Sequence, residues 1–292
     1  MSEVRQRWRL VFARGEEARY LAHLDAVRLW ERAFRRGEIP VATSEGFSPR
    51  PKLIFAAPLQ LGMLAEHELA DMYLAERLTA PDLRARLQAG MPRGYSVVEL
   101  HDVWIGEPAL APQLAAADYR MTLLNVEQAR LEQAADLLMA AEKLPRERRK
   151  EARTIPYDLR PLVLGLRVGP ADPAALPPDT PVSTSAGLWM RLRHTQDRGS
   201  GRAEEVVAAL AHLMGMAARV DGAEDGESAP EAVGSEPAPA SRQAPAIESK
   251  ATMAESAAAV RALEVVRPVR ERLWLAGELA PAEHAPADPS AV

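Results

Sequence analysis

The sequence predicts an α+β protein made of two tandem β-α-β-β-α-β units, each a ferredoxin-like antiparallel sheet with its helices on one face. Three observations support this class. Short apolar or alternating stretches are typical of strands, and apolar residues recur at helical spacing between them. The order of elements in residues 1–112 is repeated in residues 113–220. A segment rich in Ala, Pro and Glu follows the second unit.

The first unit, residues 1–112, reads as strand, helix, strand, strand, helix, strand. Gly37 and Pro40 end the first helix. Thr79 is expected to cap the second, because its hydroxyl can accept a backbone N–H. The predicted strands are residues 8–13, 52–57, 68–75 and 95–103, and the predicted helices are residues 24–37 and 81–88.

The second unit, residues 113–220, repeats this order, and Asn125 is expected to cap its long first helix. A final strand within residues 259–278 completes the unit. Residues 221–258 and 279–292 are predicted to be disordered, because their small and polar residues offer too little apolar bulk to offset the entropy of ordering. The other predicted elements are strands at 119–124, 159–168 and 188–193 and helices at 126–143 and 202–214.

The composition excludes several kinds of site. The 292 residues contain no cysteine, which excludes disulfides, zinc–thiolate sites, iron–sulfur clusters and cysteine nucleophiles. No phosphate-binding glycine motif occurs, and the histidines show no metal-ligand spacing with carboxylates. No stretch reaches the ~18–20 apolar residues of a membrane helix, and no signal peptide is recognisable. We therefore predict a cytoplasmic protein with no cofactor, no metal and no membrane partner.

Charge is distributed unevenly along the chain. Residues 1–60 carry eleven basic and seven acidic side chains, a net of +4, whereas residues 221–292 carry six and thirteen, a net of −7. A basic front part is typical of a protein that binds a polyanion with one surface. The alternative is that these arginines are ordinary solvent-exposed residues that bind no ligand.

The first helix separates apolar from basic residues. At 100° per residue, Val27, Trp30, Ala33 and Phe34 fall on one side and a stripe of arginines falls on the other. Arginine forks bind phosphate oxygens bidentately, so the stripe predicts contact with a nucleic-acid backbone. A solvated helix face is the alternative. The stripe consists of Arg28, Arg32, Arg35 and Arg36.

His23 lies at the first turn of this helix, on its apolar side. A histidine has an ordinary pKa of ~6.5 and can act as a general acid or base. The alternative is a buried ring fixed by a hydrogen bond. Asp25 does not share the side of His23, and a carboxylate near a helix N-terminus interacts favourably with the helix dipole without any catalytic role. His23 and Asp25 are catalytic candidates only if the chain is an enzyme.

A proline-stiffened loop with the sequence SEGFSPRP follows the helix at residues 44–51. Phe47 does not belong to a helical or strand pattern of apolar residues that would place its ring in the core. An aromatic ring on a stiff loop beside Arg50 and Lys52 can stack on a base while the cations hold phosphates. The alternative is that Phe47 closes the end of the sheet.

A second basic cluster follows the long helix of the second unit, between Arg146 and Arg153. If the two predicted sheets pair with each other, the hairpin that carries this cluster extends the phosphate-binding surface of the first unit. A solvated basic loop is the alternative. The RNA-binding residues predicted here are Arg148, Arg149 and Lys150.

The stretch HLDxxRxxERAxRR, followed by SEGFSPRP and FAxPLxLG, resembles the radical SAM-linked domain family. The resemblance covers roughly residues 4–220 and the last strand, and it implies a radical SAM enzyme as partner. Ala22 and Ser48 depart from the usual serine and asparagine of the family, which weakens any catalytic role at the helix start. The family signature falls on His23, Leu24, Asp25, Arg28, Arg32, Arg36, Gly46, Phe47, Pro49, Pro51, Pro58 and Gly62.

Together these observations predict a non-catalytic RNA-binding accessory protein that works with a separately encoded radical SAM enzyme in the modification or processing of rRNA or tRNA. The resemblance implies the enzyme partner, while the arginine stripe and the Phe47 loop predict the RNA. Two alternatives stay open. One is a protein–protein adaptor that docks on the radical SAM enzyme without RNA contact, and the other is a metal-independent RNA endonuclease that uses His23.

Overall fold

A computed structural model of the chain describes residues 3–45, 49–150, 153–220 and 262–279. Within these ranges the protein has four α-helices, a ten-stranded and mostly antiparallel sheet, and a separate two-stranded ribbon. The predicted α+β class is thereby confirmed. The predicted linker, residues 221–258, and residues 280–292 of the predicted tail lie outside the described residues.

The first half of the chain contains β1 (Gln6–Arg14), α1 (His23–Arg36), β2 (Leu53–Phe55), β3 (Leu64–Leu74), α2 (Ala80–Gly90) and β4 (Tyr95–Val103). All six elements overlap the predicted ones. β3 begins at Leu64 instead of Glu68, because its first residues pair with a strand from a distant part of the chain.

The second half contains β5 (Leu114–Leu124), α3 (Gln128–Ala140), β6 (Pro145–Lys150), β7 (Arg153–Asp158), β8 (Val163–Pro170), β9 (Ser185–Thr195), β10 (Gly199–Ser200), α4 (Ala203–Leu213), β11 (Ala218–Val220) and β12 (Leu263–Leu275). β6 and β7 form the separate ribbon, in the region where the sequence predicts either a basic hairpin or a solvated loop. Short 3-10 helices lie at Glu16–Ala18, Ala111–Gln113, Arg160–Leu162, Pro173–Ala175 and Val182–Thr184.

Each half contributes four main strands in the same order. The order is β4-β1-β3-β2 in the first half and β12-β5-β9-β8 in the second, and neighbours within each half are antiparallel. β12 also pairs in parallel with β3, with Val269 opposite Leu64 and Arg272 opposite His67. The two sheets that the sequence predicts are therefore joined side by side into one.

Both helix pairs cover the same face of the joined sheet. Glu68 lies opposite Phe12 in the β1–β3 register, and the Phe12 ring contacts Trp30 of α1. Arg270 of β12 donates to Glu68 and also bonds the hydroxyl of Tyr119, which belongs to the core under α3 and α4. Since Arg270 reaches both residues from one side of β12, the helices of the two halves are neighbours on that side.

The two halves have different cores. Aromatic rings fill the space between helices and sheet in the first half, where Trp30 is fully buried among Trp8, Phe12, Phe34 and Tyr95. Leucine, alanine, valine and methionine fill the larger core of the second half. The same strand order is thus compatible with two kinds of packing.

Two helix starts test the predicted caps. The Thr79 hydroxyl accepts the N–H of Asp82, as predicted. Asn125 does not cap α3, which begins three residues later after Glu127. Its backbone has a φ of 63°, and its side-chain amide donates to Ala262 O over 3.0 Å. The prediction for Asn125 was wrong because its partner lies at the entry to β12, far away in sequence.

Candidate nucleic-acid interface

Helix α1 is amphipathic, and its packing fixes the direction of its arginines. Trp30, Ala33 and Phe34 are buried as predicted. Val27 is half-buried, and Ala26 is buried in addition. The opposite side of the helix is exposed and carries the set of side chains that we call the arginine surface, which consists of Arg28, Arg32, Arg35 and Arg36.

Few groups neutralise the arginine surface. Arg28 lies 3.4 Å from Asp25, but both side chains are exposed, and exposed pairs contribute only ~0–1 kcal/mol. Arg35 donates to a carbonyl oxygen of its own helix. Arg36 Nη2 donates to Gly90 O over 2.7 Å. Among the described residues, a carboxylate therefore lies within ion-pair distance of Arg28 alone in this set, and the surface remains positive.

Two glycines hold the end of α1 against α2. A Cβ atom at Gly37 would lie 2.3 Å from Arg86 O, and one at Gly90 would lie 2.2 Å from Ala33 O. Neither position accommodates a side chain, so the two helices meet backbone to backbone. This close approach brings Arg36 within reach of Gly90 O and fixes the C-terminal end of the arginine surface.

His23 is accessible at the other end of α1. The ring is exposed and packs edge-on to Phe55 of β2, with ring centroids 5.6 Å apart. Its partial desolvation lowers the pKa of His23 below the usual value of ~6.5, so the ring is neutral at pH 7. Because the ring is exposed, the alternative of a buried ring is wrong. Asp25 is exposed as well, and its partner is Arg28.

The loop after α1 is closed at its base by backbone hydrogen bonds. The Ser44 N–H donates to Arg50 O over 2.8 Å, and the Arg50 N–H donates to Ser44 Oγ over 3.1 Å. The Arg50 side chain is exposed, and Lys52 Nζ lies 4.3 Å from the centre of the Tyr73 ring. Phe47 lies outside the described residues, so base stacking by this ring stays a prediction.

This loop emerges beside the C-terminal end of the arginine surface. The Ile39 N–H donates to Phe34 O over 3.0 Å, which turns the chain directly after α1. Val41 then bridges to Leu74 at the end of β3, and the Lys52 N–H donates to Ala42 O. The fold therefore brings the loop cations to the end of the molecule where α1 ends.

The second basic cluster lies on the β6–β7 hairpin, which we call the basic ribbon. In its register Arg148 is opposite Ile155, Arg149 is opposite Thr154 and Lys150 is opposite Arg153. The hairpin is attached to the second half at its base, where the Leu144 N–H donates to Asp158 Oδ1 over 2.8 Å. The predicted cluster is thus a regular ribbon and not a loose loop.

Several arginines of the basic front part are internal. Arg7 is 1% exposed and donates to Asp71, which also accepts from Arg9. Arg14 is 3% exposed and donates to backbone carbonyl oxygens, including Met63 O. The count of basic residues in positions 1–60 therefore overstates the positive charge at the surface. The surface charge of this half comes instead from α1 and the loop that follows it.

The comparisons with known proteins identify a family. The family DUF2344, described as an uncharacterized protein conserved in bacteria, matches residues 7–198. The chain belongs to this family. The match includes the arginine surface, the loop and the basic ribbon of the DUF2344 protein.

Two further comparisons are with curated proteins and with solved structures. No curated protein matches the chain. One similar solved structure is that of an unknown protein from Galdieria sulphuraria, with 13% sequence identity over 71% of this chain and 91% of that chain. Its TM-score is 0.22, so it carries no argument about fold or function.

A buried polar cluster at the junction of the two halves was not predicted. Glu68 and Arg270 are 2% and 3% exposed and form a bidentate pair. His194 lies near Arg270, and its Nδ1 atom is buried without a hydrogen-bond partner in the structure. Burial, with a contribution from the Arg270 charge, lowers the pKa of His194 to about 4. The available signal was a charged residue inside each of two apolar strands, Glu68 and Arg270.

Metal-ligand clusters and membrane-spanning helices are both absent from the described ranges of the chain. Its His, Asp and Glu side chains form no group of three or more that could hold a metal ion there. Each helix in those ranges is too short or too polar to cross a lipid bilayer.

Proposed function

We propose that the protein binds RNA through the arginine surface as a non-catalytic accessory of a separately encoded radical SAM enzyme that modifies or processes rRNA or tRNA. The observation that carries the proposal is the exposure of Arg28, Arg32, Arg35 and Arg36 on one side of α1, with one weak carboxylate contact among the described residues. The resemblance of the sequence motifs supports the enzyme partner. The chain has no cysteine with which to ligate a radical SAM cluster itself.

The geometry of α1 suits a phosphate backbone. Fourteen residues of helix extend over ~21 Å, so the arginines follow a line several nucleotides long. Guanidinium forks bind phosphate oxygens bidentately, and they are held on a rigid helix that packs through Trp30 and Phe34. Preordered cations lose less entropy on binding than cations on a loose segment.

The strand order supports the proposed division of the fold. Each half has the order fourth-first-third-second with antiparallel neighbours, which is the order of a ferredoxin-like unit. We therefore keep two tandem ferredoxin-like units as a proposal, residues 1–112 and 113–220, with the final strand within 259–278 completing the second. The cytoplasmic location likewise stays a prediction.

Affinity measured across a salt series tests the RNA proposal. In the variant Arg32→Gln/Arg35→Gln, the slope of log affinity against log salt concentration should decrease by about 2, because each lost phosphate contact removes about 1. The matched control is Ala129→Glu/Gln133→Glu, which makes the same change in charge at exposed positions of α3. Its slope should equal that of the wild type. Equal slopes for all three proteins would refute RNA binding by α1.

An adaptor function is favoured by one specific observation. Tyr20 and Leu24 are 61% and 64% exposed at the N-terminal end of the arginine surface, and Leu61 is 45% exposed. Leu61 is close to them because the Gly62 N–H donates to Arg19 O over 3.0 Å. Apolar side chains grouped in this way are typical of a protein-binding surface.

Co-purification of the radical SAM enzyme separates the adaptor from the RNA-binding protein. A complex that survives ribonuclease treatment and is lost in Leu24→Asp/Leu61→Asp would favour the adaptor. A complex that dissociates on ribonuclease treatment and is insensitive to these substitutions would favour RNA as the bridge. Retention of the wild-type melting temperature in the variant would show that the fold is intact.

An endonuclease function is favoured by the exposure of His23. The ring is neutral at pH 7 and lies at the start of the arginine surface, where it could take a proton from a ribose hydroxyl. Cleavage of RNA in the presence of EDTA by the wild type, and its loss in His23→Ala, would support this function. Since the ring is exposed, the melting temperature of His23→Ala should be nearly unchanged.

A further inference from the structure

We infer that the basic ribbon is a second contact for the same RNA, that it uses one face only, and that this face binds the phosphates of a double-helical segment. The inference rests on the proposed RNA-binding function and adds to it the secondary structure of the RNA. It assigns the contact to Arg146, Arg148 and Arg153.

The register of the ribbon sorts its side chains by face. Arg146 is opposite Tyr157, and Arg148 is opposite Ile155. Arg153 lies two residues before Ile155 on the same strand. Residues directly opposite each other, and residues two apart along a strand, share a face. One face therefore carries the positions of three arginines and Lys150, a formal charge of +4. The other face carries the positions of Pro145, Glu147, Arg149, Thr154, Pro156 and Asp158, a formal charge of −1.

The arginine face is open to a ligand towards the tip of the ribbon. Arg148, Arg153 and Ile155 are exposed, and Arg146 is half-buried at the base. In the described part of the chain, none of these arginines has a carboxylate within ion-pair distance. Glu147, which is adjacent in sequence to Arg148, is on the other face. Among the described residues of the ribbon, which do not include Glu151, the positive charge of this face is therefore not neutralised.

Contacts at the base place this face beside the start of α4. Tyr157 shares the face and packs on the core of the second half, and the charges of Glu204, Glu205 and Arg202 at the start of α4 act on its hydroxyl. Burial, with a contribution from the charges of Glu205 and Glu204, raises the pKa of Tyr157 to about 12. The arginine face of the ribbon thus borders the N-terminal end of α4.

The N-terminal end of α4 in turn borders the segment before β3. Gln60 Nε2 donates to Glu204 Oε1 over 2.8 Å. Two residues further on, Gly62 O accepts from Arg19 Nε over 2.6 Å, just before α1. Residues 60–62 therefore contact both the start of α4, which borders the ribbon, and the segment just before α1. One RNA crossing this segment can contact both the ribbon and α1.

The composition of the ribbon indicates a double helix instead of a single strand. Proteins that bind single-stranded RNA stack its bases on exposed aromatic rings, whereas duplexes are bound through phosphates and shape. Residues 145–158 contain one aromatic side chain, Tyr157, and it is half-buried. The ribbon strands have six residues each, or ~20 Å, which is enough to follow a backbone across a groove.

The test compares single substitutions that change the charge equally on the two faces. Arg148→Gln and Thr154→Glu each lower the net charge by one, on the arginine face and the other face respectively. The probes are a hairpin RNA with a stem of two helical turns and an unstructured RNA of the same length. We expect Arg148→Gln and Arg153→Gln each to decrease the salt slope for the hairpin by about 1, and Thr154→Glu to leave it unchanged.

The outcomes separate this inference from the proposed function. If Arg32→Gln/Arg35→Gln lowers the slope while the ribbon variants do not, RNA binding by α1 stands and the ribbon inference is overturned. An equal loss in Arg148→Gln and Thr154→Glu would overturn the use of one face. An equal decrease of the salt slope in Arg148→Gln for the hairpin and the unstructured RNA would overturn the double-helical ligand. A ribbon variant that loses a protein partner and keeps the wild-type RNA slope would also overturn the inference.

Discussion

Helices α1 and α3 occupy the same place in the two halves, since each follows the first strand of its half and covers the sheet. Their exposed sides differ. α1 presents four arginines, whereas the exposed side of α3 carries one arginine and two carboxylates. The exposed residues of α3 are Ala129, Arg130, Glu132, Gln133, Asp136, Leu137 and Ala140. The single arginine of α3, Arg130, donates to Met214 O. Because α3 covers its half without a stripe of cations, the fold does not require the arginines of α1. This difference supports the proposal that the arginines of α1 bind RNA.

The largest expected effect is a loss of stability when the buried ion pair between the two halves is broken, and it tests whether the halves form one folded unit. Glu68→Leu leaves the buried Arg270 without its carboxylate, and the loss of one partner of a buried pair costs about 3–5 kcal/mol. Urea denaturation should show this loss in the free energy of unfolding.

The control for this prediction is Glu99→Gln, which changes an exposed carboxylate of β4 and should shift stability by less than ~0.5 kcal/mol. A loss below ~1 kcal/mol in Glu68→Leu would mean that the Glu68–Arg270 pair contributes little to joining the halves, and that the pairing of β12 with β3 joins them instead.

An intermediate effect is expected from acid, and it should be larger in the second half. The pKa of His194 is lowered to about 4 in the folded protein, against ~6.5 in the unfolded chain. Between these values the unfolded chain binds a proton that the folded protein does not, so stability falls as the pH decreases from about 6.5 towards 4. His194→Gln should show a shallower decrease, and it should parallel the wild type above pH 7.

Hydrogen exchange at pH 5 and pH 7 locates this effect. We expect amides of β9 and α4 to lose more protection at pH 5 than those of β1 and α1, and His194→Gln to reduce the difference. Equal losses in both halves, unchanged by the substitution, would assign the acid sensitivity to other groups.

The smallest expected effect distinguishes two helix starts. Thr79→Ala removes the side-chain cap of α2 and should lower stability by about 1 kcal/mol. Glu127→Ala should change it much less, because the Glu127 side chain makes no capping hydrogen bond to α3. Thermal unfolding of both variants provides the measurement. A larger loss in Glu127→Ala would show that the start of α3 depends on that side chain.

Local patterns predict most of the elements because they depend on nearby residues. The stop signal at Gly37 and the hydroxyl of Thr79 act within one turn, and the end of α1 and the start of α2 follow from them. The start of β3 and the role of Asn125 depend on β12 and its entry, which are distant in sequence. No local pattern encodes such pairings.

The candidate site divides in the same way. The helical period predicts the exposed side of α1 and hence Arg28, Arg32, Arg35 and Arg36. It misplaces His23, which has an apolar angle on the helix and is nevertheless exposed at the first turn. Charge counts do not separate Arg7 and Arg14, which are internal, from the arginines of α1. That separation depends on partners such as Asp71, which only the folded strands bring together.

The position of β12 has a consequence for synthesis on the ribosome. This strand lies between β5 and β3 in the middle of the sheet, yet it comes after every other described strand in the chain. Until it emerges from the exit tunnel, much of one side of β3 and one side of β5 lack hydrogen-bond partners. Such open edges can pair with other chains, so a nascent polypeptide truncated before Leu263 should be prone to aggregation and depend on chaperones.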